Sequence, residues 1–92
     1  MAEDVQQEVL ARLKSIEGHV RGVAKMLEND AYCIDVVQQI LATEKALKRV
    51  RGLLLDRHLR TCVTTAIRGE DAAERERVIQ EILEVTDARG RN

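Results

Sequence analysis

An all-α fold built from three helices follows from three observations. The chain of 92 residues has no Pro and only five Gly, so it lacks the turn punctuation of β architectures. Ala, Leu, Glu, Lys, Arg and Gln dominate, and all are good helix formers. The apolar residues recur at helical spacing rather than in strand-like alternation. With 45% hydrophobic residues the chain is too apolar for disorder, and its length fits a single domain over residues 1–92.

The first helix is expected over residues 4–28. Val9, Leu13, Ile16, Val20, Val23 and Leu27 form one stripe with steps of four and three, and Lys14, Arg21 and Lys25 lie opposite. Asn29 and Asp30 tolerate turn geometry and close the segment, and Asp30 is a candidate cap for the next helix. Residues 31–67 hold no Pro and one Gly, Gly52, which predicts a long central helix of about 50 Å. Its apolar positions cover more than one face, with Val37, Ile40, Leu47 and Leu54 on one line and Ile34, Leu41, Leu55, Leu59 and Val63 beside it. A helix apolar over that width is buried on two sides and needs neighbours. Gly69 is a helix stop. A short third helix is expected over 71–86, with Glu70, Asp71 and Glu74 suited to its N-terminal dipole, followed by a polar tail that frays.

Fifteen Lys and Arg against sixteen Asp and Glu leave a net charge of −1, which argues against a molecule basic all over. The charge is uneven. Residues 1–69 are net positive and residues 70–92 net negative, so a polyanion site is local and lies away from the acidic end. No apolar run is long enough for a membrane span, and no leader pattern opens the chain. The expected setting is the cytoplasm, where two cysteines read as ligands, redox groups or packing before they read as a disulfide. Nothing resembles an open nucleophile–base pair, so no enzymatic activity is expected. A core with so few aromatic residues is expected to be shared with other copies.

Cys33, His58 and Cys62 carry the chemistry. His58 and Cys62 are four apart and share a helix face. At about 100° per residue, Cys33 falls on that same face. A lone Cys is ordinarily a packing residue and a lone His a surface one. Three metal-competent side chains in phase point instead to a site. Along a continuous helix Cys33 and His58 are ~38 Å apart, far beyond metal–ligand reach of about 2.0–2.3 Å. An antiparallel two-fold partner closes the gap, with Cys33 of one chain meeting His58 and Cys62 of the other, twice per dimer. The same register sets Glu44 opposite a second copy's Arg51, which gives both charges a partner in an otherwise apolar stripe. Two thiolates and one imidazole make a soft set that suits Cu(I), while zinc wants a fourth ligand and nickel more nitrogen or oxygen. Residues 1–4 add no His or Cys, and His19 is the spare imidazole.

These residues resemble the copper-sensing repressor family, CsoR, with its nickel-, cobalt- and formaldehyde-sensing relatives. The resemblance is carried by Arg12-Leu13-Lys14-Ser15-Ile16-Glu17-Gly18-His19-Val20-Arg21-Gly22, by Asp30-Ala31-Tyr32-Cys33-Ile34-Asp35-Val36 and by His58-Leu59-Arg60-Thr61-Cys62-Val63. It implies three-helix protomers and antiparallel dimers of four-helix-bundle type that pair into flat homotetramers. It also implies a repressor that binds operator DNA without metal and leaves it on binding Cu(I). The ligand positions match Cys33, His58 and Cys62, and a supporting shell around the imidazole matches Tyr32 and Glu81. Persulfide sensors lack the His and formaldehyde sensors lack the second Cys. Nickel and cobalt sensors add N-terminal nitrogen ligands. Copper is therefore the expected effector. A nickel, zinc or formaldehyde response and a thiol or metal carrier without DNA are the alternatives, with backbone groups or His19 completing a nickel or zinc site.

The chain holds no helix-turn-helix or zinc-finger spacing. Its cations fall on the first helix and, as Lys45, Lys48, Arg49 and Arg51, in the middle of the long one. Gly18 and Gly22 sit one turn apart beside Arg21, where small residues permit close backbone approach. By the resemblance, Arg12, Lys14, Arg21 and Arg49 match basic positions facing DNA, while Ser15 and Gly52 stand where relatives are often basic. Repetition of such patches in a tetramer would give summed phosphate contacts with strong salt dependence and a contribution from shape readout.

Overall fold

A computed structural model describes residues 3–86, with side chains from residue 5 onward, and the expected behaviours of the N-terminal arm and of the tail from Asp87 lie outside the described residues. Among them there is no strand. Helix α1 spans Glu3–Glu28, α2 Cys33–His58, α3 Thr64–Arg68 and α4 Ala72–Val85, and a π-helical segment, Leu59–Val63, stands between α2 and α3. The expected all-α fold of three helices is what the described residues adopt, and the stretch expected as one helix over 31–67 is divided into α2, the π segment and α3. The chain divides into two compact units, Met1–Leu55 and Asp56–Asn92.

The first unit is an antiparallel hairpin of α1 and α2. Val9, Ile16 and Val50 are buried at 6%, 8% and 5% exposure, with Val5, Ala46 and Leu53 packed against them. Buried positions on α2 recur every seven residues, at Val36, Thr43 and Val50. A strict seven-residue repeat is the seam of a coiled-coil contact. Thr43 is tolerated there because its hydroxyl donates to the Gln39 carbonyl at 2.9 Å. The single apolar stripe expected on α1 is split by this seam. Val9 and Ile16 face α2, and Val23 is half-buried, whereas Leu13, Val20 and Leu27 stay exposed on the adjoining face. The steps of four and three merged two neighbouring seams, because a stripe that wide exceeds what one partner helix covers.

Asp30 does not cap α2. It terminates α1 in the left-handed region at φ 57°, where its N–H donates to the Leu27 carbonyl at 3.1 Å and the Ala31 N–H reaches the Met26 carbonyl at 2.9 Å. These are the two bonds of a Schellman ending, and Asp is among the few non-Gly residues that accept the position.

In the second unit α3 and α4 pack against the π segment. Gly69 ends α3 with extended backbone, and its carbonyl accepts from Arg75 Nη1 at 2.6 Å. Asp71 is the N-cap of α4, accepting from the Ala73 and Glu74 N–H groups at 3.0 and 3.2 Å. Val78 anchors α4 at 2% exposure. No helix among the described residues is long and apolar enough to cross a membrane.

Candidate metal centre

Cys33 is the first residue of α2 and its thiol is free and exposed. The turn that presents it is closed by Tyr32, whose carbonyl accepts the Asp35 and Val36 N–H groups at 3.0 and 3.2 Å. The Tyr32 side chain stands out at 71% exposure. His58 is the last residue of α2 and is half-buried. Cys62 lies inside the π segment, also free and exposed, with the Thr61 hydroxyl 3.8 Å from its Sγ. The candidate ligands are thus divided between the units, Cys33 in the first and His58 and Cys62 in the second. Among the described residues no group of three His, Cys, Asp or Glu side chains gathers to hold a metal.

The π segment was not expected from the apolar periodicity. It falls on Leu59-Arg60-Thr61-Cys62-Val63 and runs into Thr64-Thr65, a cluster of β-branched residues that disfavour the α-helix. Two threonine hydroxyls turn back on the chain, Thr61 to the Arg57 carbonyl at 2.9 Å and Thr64 to the Leu59 carbonyl at 2.6 Å, and the Thr64 N–H reaches the Leu59 carbonyl five residues back. A π turn takes more residues than an α turn, and such turns concentrate at functional sites. The phase of 100° per residue therefore holds as far as His58 and fails from there to Cys62. Wider winding stacks residues four apart more nearly in line, which suits a pair of ligands on one ion.

Glu81 lies on α4, exposed, and pairs with Arg77 Nη1 at 3.1 Å. Arg77 also holds Glu74, and this hydrogen bond keeps the Glu74 carboxyl below the usual carboxylate range while raising the guanidinium further. The Arg77 bridge between two glutamates had no signal in the sequence beyond spacings of three and four residues.

The basic residues do not form one face. Lys14, Arg21 and Lys25 are exposed on the side of α1 away from the seam. Arg12 occupies a seam position between Val9 and Ile16, and its Nε and Nη2 reach Glu8 Oε2 at 3.1 and 3.0 Å. Arg21 Nη1 is 3.3 Å from Glu17 Oε1. Arg49 is exposed, and no ion pair forms there among the described residues. His19 Nε2 lies 2.8 Å from Gln39 Oε1, so the spare imidazole is engaged within the hairpin. On α2 an open groove of about 570 Å³ is lined by Leu41, Glu44, Lys45, Leu47, Lys48 and Arg51. Its residues lie at steps of three, four and seven, which is the outline of the holes that accept side chains of a second helix.

Comparison with known proteins places these features. The chain is 44% identical over 80 residues to the copper-sensing transcriptional repressor CsoR of Bacillus subtilis, which covers 87% of this chain and 76% of that protein. It spans about half the length of mycobacterial CsoR proteins to which it is 48% identical over 58 residues. Among solved structures it resembles Cu(I)-bound CsoR of Geobacillus thermodenitrificans, with a TM-score of 0.82, 40% identity and coverage of 99% of this chain and 91% of that one. The nickel-responsive regulator InrS is similar at a TM-score of 0.69 and 36% identity, covering 89% of each chain. The family model of metal-sensitive transcriptional repressors matches residues 5–88, and the chain belongs to that family.

Proposed function

We propose that the protein is a Cu(I)-responsive repressor acting as a homo-oligomer, in which Cys33 of one chain and His58 and Cys62 of a second hold one ion. One observation carries the reading. Cys33 opens α2 and His58 closes it, on a chain 40% identical over nearly its whole length to a Cu(I)-bound repressor. The donor set fits the metal. Both thiols are free and exposed, two thiolates with one imidazole favour Cu(I), and a cytoplasmic setting keeps them reduced.

The unpartnered face of α2 supports the pairing. Val37, Ile40, Leu47 and Leu54 are exposed on the line that carries Glu44 and Arg51. An antiparallel second copy buries that line, fills the groove around Leu47 and sets Glu44 against its Arg51. The dimers pair further into the homotetramer.

Cu(I), when bound, supplies a bridge between two chains. Glu81 and Tyr32 are assigned to support the His58 ring, and Glu81 reaches the ring N–H by exchanging its Arg77 partner. That exchange ties the position of α4 to the site, and α4 packs on the π segment that carries Cys62. Arg12, Lys14, Arg21 and Arg49 contact operator phosphate in the metal-free protein, and affinity falls as salt rises.

The experiment is a Cu(I) titration against a chelator, with binding to a promoter duplex followed in parallel. Copper at stoichiometric occupancy releases the DNA, Cys33→Ala retains DNA binding and loses the release, and mixed Cys33→Ala and His58→Ala chains recover about one site per heterodimer. Absence of recovery in the mixture would sink the shared site. A nickel response is the second reading, favoured by the likeness to InrS. The bond of His19 to Gln39 counts against a nitrogen-rich site, and tighter binding of Ni(II) than of Cu(I) would reverse the choice.

A further inference from the structure

We propose that Glu17 sets the DNA affinity of α1 by holding Arg21 and competing with phosphate for its guanidinium. The inference rests on the repressor reading above and adds a residue to it.

Arg21 and Glu17 are exposed at 67% and 71% of their side-chain surface, and Arg21 Nη1 sits 3.3 Å from Glu17 Oε1. A Cβ built on Gly18 would lie 3.7 Å from Arg21 Nη2, so the guanidinium folds back across Gly18 toward Glu17. A glutamate one turn N-terminal to its cation is the favourable orientation for such a pair. Lys14 and Lys25 share that side of α1 and carry no ion pair among the described residues. The two lysines are ready for phosphate, while Arg21 must first leave a carboxylate.

An exposed pair of this kind is weak, so the exchange is easy and its effect is graded. Graded attenuation has a use in a repressor. An effector changes affinity for a second ligand by roughly 5- to 150-fold. A protein whose concentration exceeded its operator Kd by much more than this factor would stay bound after the effector arrived. Glu17 keeps the metal-free affinity within reach of the switch.

The test uses the full chain and a labelled duplex spanning the promoter of its own gene, across a salt series. Glu17→Gln is expected to bind about 2- to 5-fold tighter for each Arg21 in contact, with a steeper salt dependence. Glu28→Gln removes a charge of the same helix that carries no ion pair among the described residues, and it is expected to change affinity less than Glu17→Gln. In an Arg21→Ala background Glu17→Gln is expected to give no gain, which a double-mutant cycle reads directly. Equal or weaker binding by Glu17→Gln overturns the proposal, as does a gain that persists without Arg21, which would make Glu17 a through-space charge. Helical dichroism verifies the fold of each variant, and Glu17→Ala gives a second route to the same direction of change. Failure of the unaltered protein to bind the duplex at low salt sinks the repressor reading itself, and this inference with it.

Discussion

His19 on α1 and Gln39 on α2 share a hydrogen bond of 2.8 Å across the hairpin seam. With Gln39 Oε1 as the acceptor, Nε2 is the donating nitrogen. A polar pair that joins the two helices favours one register, because sliding one helix leaves both groups unmatched.

Gln39→Ala is therefore expected to lower stability by about 1 kcal/mol. Affinity for Cu(I) is expected to stay unchanged within the error of a chelator competition, since His19 is not a ligand in this reading. Denaturant unfolding and the competition measure the two quantities separately.

Leu47 lies in the α2 groove at 45% exposure, between Glu44 and Arg51. In the proposed antiparallel dimer two copies of Leu47 approach the two-fold axis. Leu47→Asp is expected to raise the dimer dissociation constant by more than about tenfold, because it sets two carboxylates together in an apolar contact. Sedimentation at several protein concentrations reads this, and an unchanged mass distribution would exclude α2 as the seam.

Asp71 caps α4 through two backbone N–H groups. Asp71→Ala is expected to destabilise the protein by about 1 kcal/mol. If α4 couples the metal site to DNA, the same change raises the Cu(I) concentration needed for release, while DNA binding without metal is retained. Thermal unfolding and a release titration give the pair of readouts.

Glu74 is held below the ordinary carboxylate range by its hydrogen bond from Arg77. A lowered value means that the ionised group stabilises the folded state above the unfolded pKa, and that this contribution fades as pH falls through the folded one. The stability difference between the unaltered protein and Glu74→Gln is thus expected to be full at neutral pH and to shrink below about pH 4.5. High salt is expected to shrink it as well, because the pair is exposed. Chemical denaturation repeated across pH and salt tests both.

The candidate ligands were legible because metal chemistry selects residue types that are rare in this chain, and the two cysteines and His58 stand at spacings a helix can read. The stripe on α1 was legible as apolar but not as two faces. Periodicity reports that a residue is buried by something, without reporting which neighbour buries it. Asp71 is acidic beside an acidic first turn, and its charge alone does not tell a dipole partner from the cap that it is. The π segment is silent in the apolar pattern, because its signal is a cluster of β-branched residues rather than a break in periodicity.

Composition and spacing sufficed for the helical class, which follows from local propensity, and they single out Cys33, His58 and Cys62 as candidates because few side chains bind soft metals. Folding in three dimensions settled the remainder: which half of the α1 stripe meets α2, that Asp30 ends one helix instead of starting the next, that His58 is followed by a π turn, and that His19 of α1 bonds Gln39 of α2. These depend on where side chains from different turns and helices meet, and small differences between competing contacts decide them.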